Sequence, residues 1–360
     1  MEKIYLVLSN GKVFEGVSRG ADAERTGELV FTTGMAGYLE TLSDPSYAGQ
    51  IVVQTFPMIG NYGVIPEDLE GKPALAGYVV RELCEEPSNF RSEYAADRFL
   101  KENGIPCVTG VDTRELTRII REEGAMPAAI VKKVPGDLSA IKAFAVKNVV
   151  SGVSQKEITV HKAENEKTKV ALIDYGAKRN IIRCLLKRGC TVTVYPNTTA
   201  AEKILEGAPD GIMLSNGPGD PAENVFEIEQ IKKLLGKKPV FGICLGHQLT
   251  ALALGGRTEK LKYGHHGVNQ PVKQTDGGRT YITSQNHNYE VIAETLADTG
   301  VESFVNANDG SCEGMEYGEL NAFTVQFHPE ANGGPHDTAF LFDRFIDLME
   351  KDKKCLRTKP

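Results

Sequence analysis

Two short runs, far apart in the chain, carry residues that could act together on a carbonyl group. Phe241-Gly242-Ile243-Cys244-Leu245-Gly246-His247-Gln248 sets a cysteine between glycines, and Phe327-His328-Pro329-Glu330 places a histidine two residues before a carboxylate. Flanking glycines allow the sharp strand-to-helix turn that lifts a nucleophile above a sheet, as in the serine elbow G-x-S-x-G. A cysteine there also lies at a helix N-terminus, where backbone N–H groups and the helix dipole favour a thiolate. His328 and Glu330 follow the β-like run Ala322-Phe323-Thr324-Val325-Gln326-Phe327. In an extended segment they would share a face, so that Glu330 orients the imidazole that activates Cys244. The chemistry expected of such a set is acyl transfer through a thioester. Free cysteines are often inert, buried hydrophobes, a reading that suits Cys84, Cys184, Cys190 and Cys312. The glycine bracket and the distant His-x-Glu set Cys244 apart.

A third run, Leu214-Ser215-Asn216-Gly217-Pro218-Gly219-Asp220-Pro221, follows an apolar stretch. Gly217 and Gly219 would let the backbone approach a bound group, offering N–H donors to an oxyanion or a substrate carboxylate. A tight surface turn is the plainer alternative. The N–H of Leu245, just after the cysteine, is the natural second oxyanion donor. His265-His266, with His287 and Cys312, does not match a zinc spacing, and adjacent histidines in a strand point to opposite faces. Structural or hydrogen-bonding roles are expected for them, with no metal site. His247 is assigned to local packing and His336 to a helix start.

The elements that must position these residues are legible from hydrophobic period. Residues 238–243 read as a buried strand, and the apolar run 249–254, stopped by Gly255-Gly256, as a helix. Upstream, apolar strands at 170–174, 191–195 and 209–214 alternate with helices at 178–187 and 227–235. That rhythm predicts a doubly wound, mostly parallel sheet with its site at the carboxyl ends of the strands. The stretch 258–326 should add edge strands, and 338–351 an amphipathic C-terminal helix. The polar segment 151–168 reads as a linker between a domain at 1–150 and one at 169–355. The first is a separate mixed α/β domain, with a strand entering a turn at Asn10-Gly11 and strands at 28–32 and 50–55. Its helices are expected at 114–123, behind an Asp112-x-x-Glu115 capping box, and at 138–146 behind Asp137.

Composition excludes several classes. The chain has 360 residues, enough for two cores, and a formal charge of −7 without a basic cluster, which argues against nucleic-acid binding. No apolar run approaches the roughly 20 residues of a membrane span, and the N-terminal run is too short for a signal peptide. Seven cysteines without a CxxC pair read as reduced thiols in the cytoplasm.

Together these motifs resemble the class I (triad-type) glutamine amidotransferases. The first half narrows the resemblance to the small subunit of carbamoyl phosphate synthetases. It does so through Thr33-Gly34-Met35-Ala36-Gly37-Tyr38-Leu39-Glu40, Ser43-Asp44-Pro45-Ser46-Tyr47-Ala48-Gly49-Gln50 and Phe56-Pro57-Met58-Ile59-Gly60-Asn61-Tyr62-Gly63. Gly110-Val111-Asp112-Thr113-Arg114 and Ile173-Asp174-Tyr175-Gly176-Ala177-Lys178 extend it. The resemblance implies that Cys244 attacks the side-chain amide of L-glutamine, that His328 shuttles the proton and that Glu330 completes the triad. It implies glutamine contacts at Ser46, Gly217, Gly219, Leu245, Gln248, Asn286, Asn288 and Tyr289, with Ser46 reaching in from the first domain. It further implies a large-subunit partner, which receives ammonia through a tunnel and makes carbamoyl phosphate from bicarbonate and two ATP. ATP and a divalent metal belong to that partner, and no cofactor is expected in this chain, which has no P-loop.

The chain departs from the family pattern at several points. Asn288 replaces the usual glycine in Gln285-Asn286-His287-Asn288-Tyr289; asparagine tolerates positive φ, so a backbone contact could survive. Ala331-Asn332-Gly333-Gly334-Pro335 replaces Ala-Ser-Pro-Gly-Pro, and Ala36 and Leu39 stand for Thr and Gln. Other readings are an amidotransferase subunit serving another synthase, an inactive scaffolding subunit, and a cysteine hydrolase acting on peptides.

Overall fold

From Asn148 onward the fully buried apolar runs become the centre of a ten-stranded sheet. The computed structural model describes residues 2–358. They divide into two units: residues up to Lys147 together with Lys262–Gly267, and Asn148–Leu261 together with Val268 onward. In the second unit Thr168–Asp174 pairs in parallel with Cys190–Pro196 on one side and with Gly211–Leu214 on the other. Gly211–Leu214 continues in parallel to Val240–Ile243, and that strand to Ala322–Val325. The chain thus leaves Thr168–Asp174 first in one direction and later in the other. Such a reversal opens a crevice at the carboxyl ends of the strands, where doubly wound sheets bind their ligands.

The expected edge strands are present, in the order Cys312–Tyr317, Thr280–Ile292, Arg257–Gln274, Val301–Asn306. Ala322–Val325, expected among them, lies inside the parallel core instead, all four residues buried. An aromatic cluster fixes this centre. Phe241 stacks on Phe323 at 4.4 Å and meets Phe342 and Phe345 of the C-terminal helix Phe340–Thr358 at 5.6 and 5.8 Å. Such contacts add about 0.5–1.5 kcal/mol each beyond area burial, so the strand leading to Cys244 is held from behind.

The segment 151–168, read from its polarity as a linker, is part of the second unit. Thr159–His161 pairs antiparallel with Cys190–Pro196 at the sheet edge. Its polar side chains serve backbone groups: Ser154 Oγ accepts from Asn197 N–H at 3.0 Å, and Gln155 Nε2 donates to the Val194 carbonyl at 2.9 Å. Polarity here marks hydrogen-bonding duty at a strand end rather than a free tether.

The first unit closes seven strands into a barrel. Lys3–Leu8 pairs with Val13–Gly20 across the expected turn, where Gly11 takes φ 93°. Thr113–Glu123 is helical, its Asp112 side chain accepting from Glu115 N–H at 2.9 Å. The helix expected at 138–146 shrinks to Ser139–Lys142, in which Ile141 is the buried residue. One apolar contact does not hold a longer helix to a surface. No helix among the described residues is long and apolar enough to cross a membrane.

Candidate active site

Cys244 stands between the strand Val240–Ile243 and the helix Leu245–Ala253 with φ 53° and ψ −103°. An L-residue with a side chain rarely adopts such a conformation, which costs of order 1–3 kcal/mol. The neighbours hold it there. Cys244 N–H donates to the Val325 carbonyl at 2.8 Å, and its own carbonyl accepts from His247 and Gln248 N–H at 3.0 and 3.1 Å. Gly246 N–H donates to the Ser215 carbonyl at 3.1 Å. A Cβ on Gly246 would lie 2.5 Å from the Leu214 carbonyl oxygen, so only glycine lets the helix approach the neighbouring strand this closely. The thiol is buried and donates to the Asn286 carbonyl, Sγ to O 3.7 Å.

The strand next door ends at Val325, and His328 and Glu330 lie in the turn beyond it, closed by Ala331 N–H donating to the His328 carbonyl at 3.3 Å. The expectation that strand alternation would align them is therefore corrected: the turn does so. His328 Nδ1 lies 2.6 Å from Glu330 Oε1. A carboxylate only accepts, so Nδ1 carries the proton and Nε2 is the basic nitrogen. Nε2 is buried and meets no hydrogen-bond partner among the described residues. Burial alone would push the Glu330 carboxyl up, but His328 and Lys178 together outweigh it and hold the group below its ordinary value.

Lys178 is a site residue that the sequence did not single out. Its Nζ lies 3.2 Å from His328 Nδ1 and 3.6 Å from Glu330 Oε1, and Asn180 Nδ2 donates to the Glu330 carbonyl. The helix they open, Arg179–Lys187, follows the carboxyl end of Thr168–Asp174. The cluster is thus assembled from the ends of parallel strands in the same sheet.

The run around Gly217 is no surface turn, since Ser215 and Asn216 are 0% exposed. Asn216 cross-links it to the Lys178 segment, accepting from Lys178 N–H at 3.1 Å and donating to the Gly176 carbonyl at 3.0 Å. A Cβ on Gly217 would fall 2.4 Å from the Tyr175 carbonyl oxygen and 2.7 Å from the Leu245 side chain. Gly217 and Leu245 therefore lie side by side, and Gly219 follows with φ 89°. Leu245 is the first residue of its helix, so its N–H has no intrahelical acceptor. Gln248 Nε2 donates to the Tyr289 carbonyl at 2.9 Å and to Gln326 Oε1 at 3.0 Å, tying the nucleophile's helix to the strand Thr280–Ile292. Asn286, Asn288 and Tyr289 all lie on that strand. Asn288 is not among the residues of positive φ, so replacing glycine there introduces no left-handed strain. Ser46 lies in the first unit, within the turn Pro45–Tyr47, its N–H donating to Asp44 Oδ1 at 2.9 Å. His247 is fully buried, with Nδ1 2.8 Å from Thr324 Oγ1, and burial lowers its pKa to about 3.

Residues 171–348 match the family described as glutamine amidotransferase class-I, and residues 6–130 match the carbamoyl-phosphate synthase small chain, CPSase domain. The second unit thus carries a class-I glutamine amidotransferase domain. A carbamoyl phosphate synthase small chain from Clostridium perfringens is 50% identical over 348 residues, covering 96% of this chain and 99% of that one. Another from Syntrophotalea carbinolica is 48% identical over 373 residues, covering 98% and 99%. The chain belongs to the carbamoyl phosphate synthase small chain family, the glutamine amidotransferase subunits of the glutamine-hydrolysing synthase.

Proposed function

We propose that this chain hydrolyses L-glutamine to glutamate and ammonia through a γ-glutamyl thioester on Cys244, and hands the ammonia to a large subunit. There it would be joined to bicarbonate at the expense of ATP. The observation that carries the reading is the strained elbow at Cys244, set in the same sheet as a buried His328–Glu330 pair. The cysteine proton passes to His328 Nε2 as Sγ attacks the side-chain carbonyl carbon of glutamine. The oxygen gains negative charge, and the N–H groups of Gly217 and Leu245 are assigned to receive it. His328 then protonates the departing nitrogen, which leaves as ammonia. In the second half His328 takes a proton from water, water attacks the thioester, and glutamate leaves as Cys244 recovers its proton. Glu330 keeps the ring in the productive tautomer and stabilises the imidazolium without itself becoming protonated. Gln248, Asn286, Asn288, Tyr289, Gly219 and Ser46 are assigned to holding glutamine, Ser46 from the first unit. The reading requires no cofactor or metal in this chain; ATP and its metal would sit on the large subunit, and the cytoplasm is the assigned location.

The test is glutamate release by the purified chain, alone and with a large subunit, bicarbonate and ATP. Release that rises sharply in the complex, with carbamoyl phosphate formed, is the expected result. Cys244→Ser should abolish glutamine-dependent synthesis while the complex still uses free ammonia. Loss of both activities would give Cys244 a structural role. Strong hydrolysis indifferent to the large subunit would point to a different synthase.

A further inference from the structure

Along the strand bearing Asn286 and Tyr289, and reaching to Glu313 and Asn306 outside it, runs a chain of buried polar groups to which the reaction above assigns no role. Gln285, His287 and Glu313 are 3%, 6% and 0% exposed. Each group fixes the orientation of the next. The Thr283 hydroxyl donates to the Gln270 carbonyl at 2.9 Å, so toward Gln285 its oxygen can only accept. Gln285 Nε2 faces that oxygen at 3.2 Å and Glu313 Oε1 at 2.8 Å. The Asn306 amide is oriented by Asn308 N–H, which donates to its Oδ1 at 2.9 Å, leaving Nδ2 to donate to the same Glu313 oxygen at 2.9 Å. Two N–H donors thus converge on one Glu313 oxygen, which accepts from both and is stabilised by them when the carboxylate carries its charge.

With Nε2 so engaged, Gln285 presents its amide oxygen to His287 Nε2 at 3.2 Å. That oxygen carries no proton, so His287 Nε2 must donate. At the other side of the ring, Nδ1 lies 2.8 Å from the Tyr289 carbonyl oxygen, which also only accepts. An imidazole donating from both nitrogens is an imidazolium. Turning the Gln285 amide over would set its oxygen against Thr283 and the Glu313 carboxylate, losing both bonds. The counter-charge is at hand: a ring nitrogen of His287 and a carboxylate oxygen of Glu313 lie within 4.8 Å.

We propose that Glu313 is a positioning residue of the glutamine site, acting by holding His287 as an imidazolium. The charged ring grips the Tyr289 carbonyl, the atom that Gln248 also grips, and so sets the Asn286–Tyr289 backbone against the helix that begins after Cys244. A neutral ring could satisfy only one of its two acceptors, and the segment would lose one charge-assisted bond. This inference rests on the glutaminase reading, and its test separates the two.

The experiment pairs nitrogen NMR of the full chain, labelled in histidine, with glutamine kinetics of the reconstituted complex. His287→Gln assigns the signal. At about pH 7.5, above the range where an ordinary imidazole titrates, wild-type His287 should show two protonated nitrogens and Glu313→Gln only one. A neutral tautomer in the wild-type chain would overturn the proposal even if the variant fails to fold. In the complex, Glu313→Gln should raise KM for glutamine about tenfold with a smaller change in kcat, the size of one charge-assisted hydrogen bond. Glu313→Asp should recover much of the loss. Unchanged kinetics in Glu313→Gln, or no recovery with aspartate, would sink the positioning role. If the wild-type complex releases no glutamate, the glutaminase reading fails, and with it the positioning role; the NMR result still decides the charge state of His287.

Discussion

At the scale of single residues, the division of labour proposed for His328 and Glu330 follows from what each can exchange. Nδ1 of the ring donates to a buried carboxylate that His328 and Lys178 keep ionised against its burial. Glu330→Gln retains an acceptor oxygen but loses the charge that steadies the imidazolium, a cost of about 1.5–3 kcal/mol, or roughly tenfold to a hundredfold in kcat/KM. His328→Asn removes the proton carrier itself, and general acid–base catalysis contributes about 10²–10⁴-fold. The glutaminase rate should therefore fall further in His328→Asn than in Glu330→Gln; equal losses would count against the division. Cys244, His328 and Glu330 stand out in the sequence as the proposed nucleophile, base and orienter because of their residue types and spacing. Lys178 does not, since a lysine opening a helix looks like any solvated helix start. Only the sheet brings it to a histidine 150 positions away.

At the scale of elements, the strand–elbow–helix unit explains why local patterns were enough to place the strand and helix on either side of Cys244. Parallel core strands are buried on both faces and read as continuous apolar runs, and the site falls where they end. The turn of His328 and Glu330, the edge strand Thr159–His161 and the barrel of the first unit were not legible in the same way. Their pairings are set by distant partners, and short strands carry little periodic signal. The unit makes two predictions of its own. In Gly246→Ala the new Cβ would meet the backbone carbonyl of Leu214, which cannot rotate aside. A loss of about 1–3 kcal/mol in denaturant unfolding, with a lower glutaminase rate, is expected; an unchanged midpoint would show that the helix can retreat. His247, on the same helix, has a folded pKa lowered by burial to about 3, below its unfolded value. The unfolded chain therefore binds the extra proton first as pH falls. The stability tied to His247 is whole above about pH 6.5 and drains toward pH 3, by up to about 1.4 kcal/mol per pH unit. His247→Asn, which cannot charge, should flatten unfolding free energy against pH across that window. A slope equal to wild type would mean that the ring is accommodated when protonated.

At the scale of the whole chain, the two units are not two successive segments. Lys262–Gly267 sits in the middle of the strand Arg257–Gln274 yet belongs to the first unit, while the residues on either side belong to the second. The contacts that put it there are specific. Ala125 N–H donates to the Lys262 carbonyl at 2.8 Å, the Tyr263 ring lies 6.1 Å from Phe31, and the His266 ring stacks with Tyr47 at 6.2 Å. Sequence reading placed the whole of 258–326 in the second domain because a six-residue excursion leaves no break in a β-like pattern. Amides that share hydrogen bonds and packing open together, whatever their order in the chain. Native-state hydrogen exchange in rising denaturant should therefore show amides of 262–267 opening with Ala125 and the barrel strands. Those of 257–261 and 268–274 should open with the parallel sheet. Were the whole of Arg257–Gln274 to exchange as one cooperative strand, the excursion would be a matter of proximity without energetic weight. Opening with the barrel is the expected result, and it would make the six-residue excursion an energetic part of the first unit.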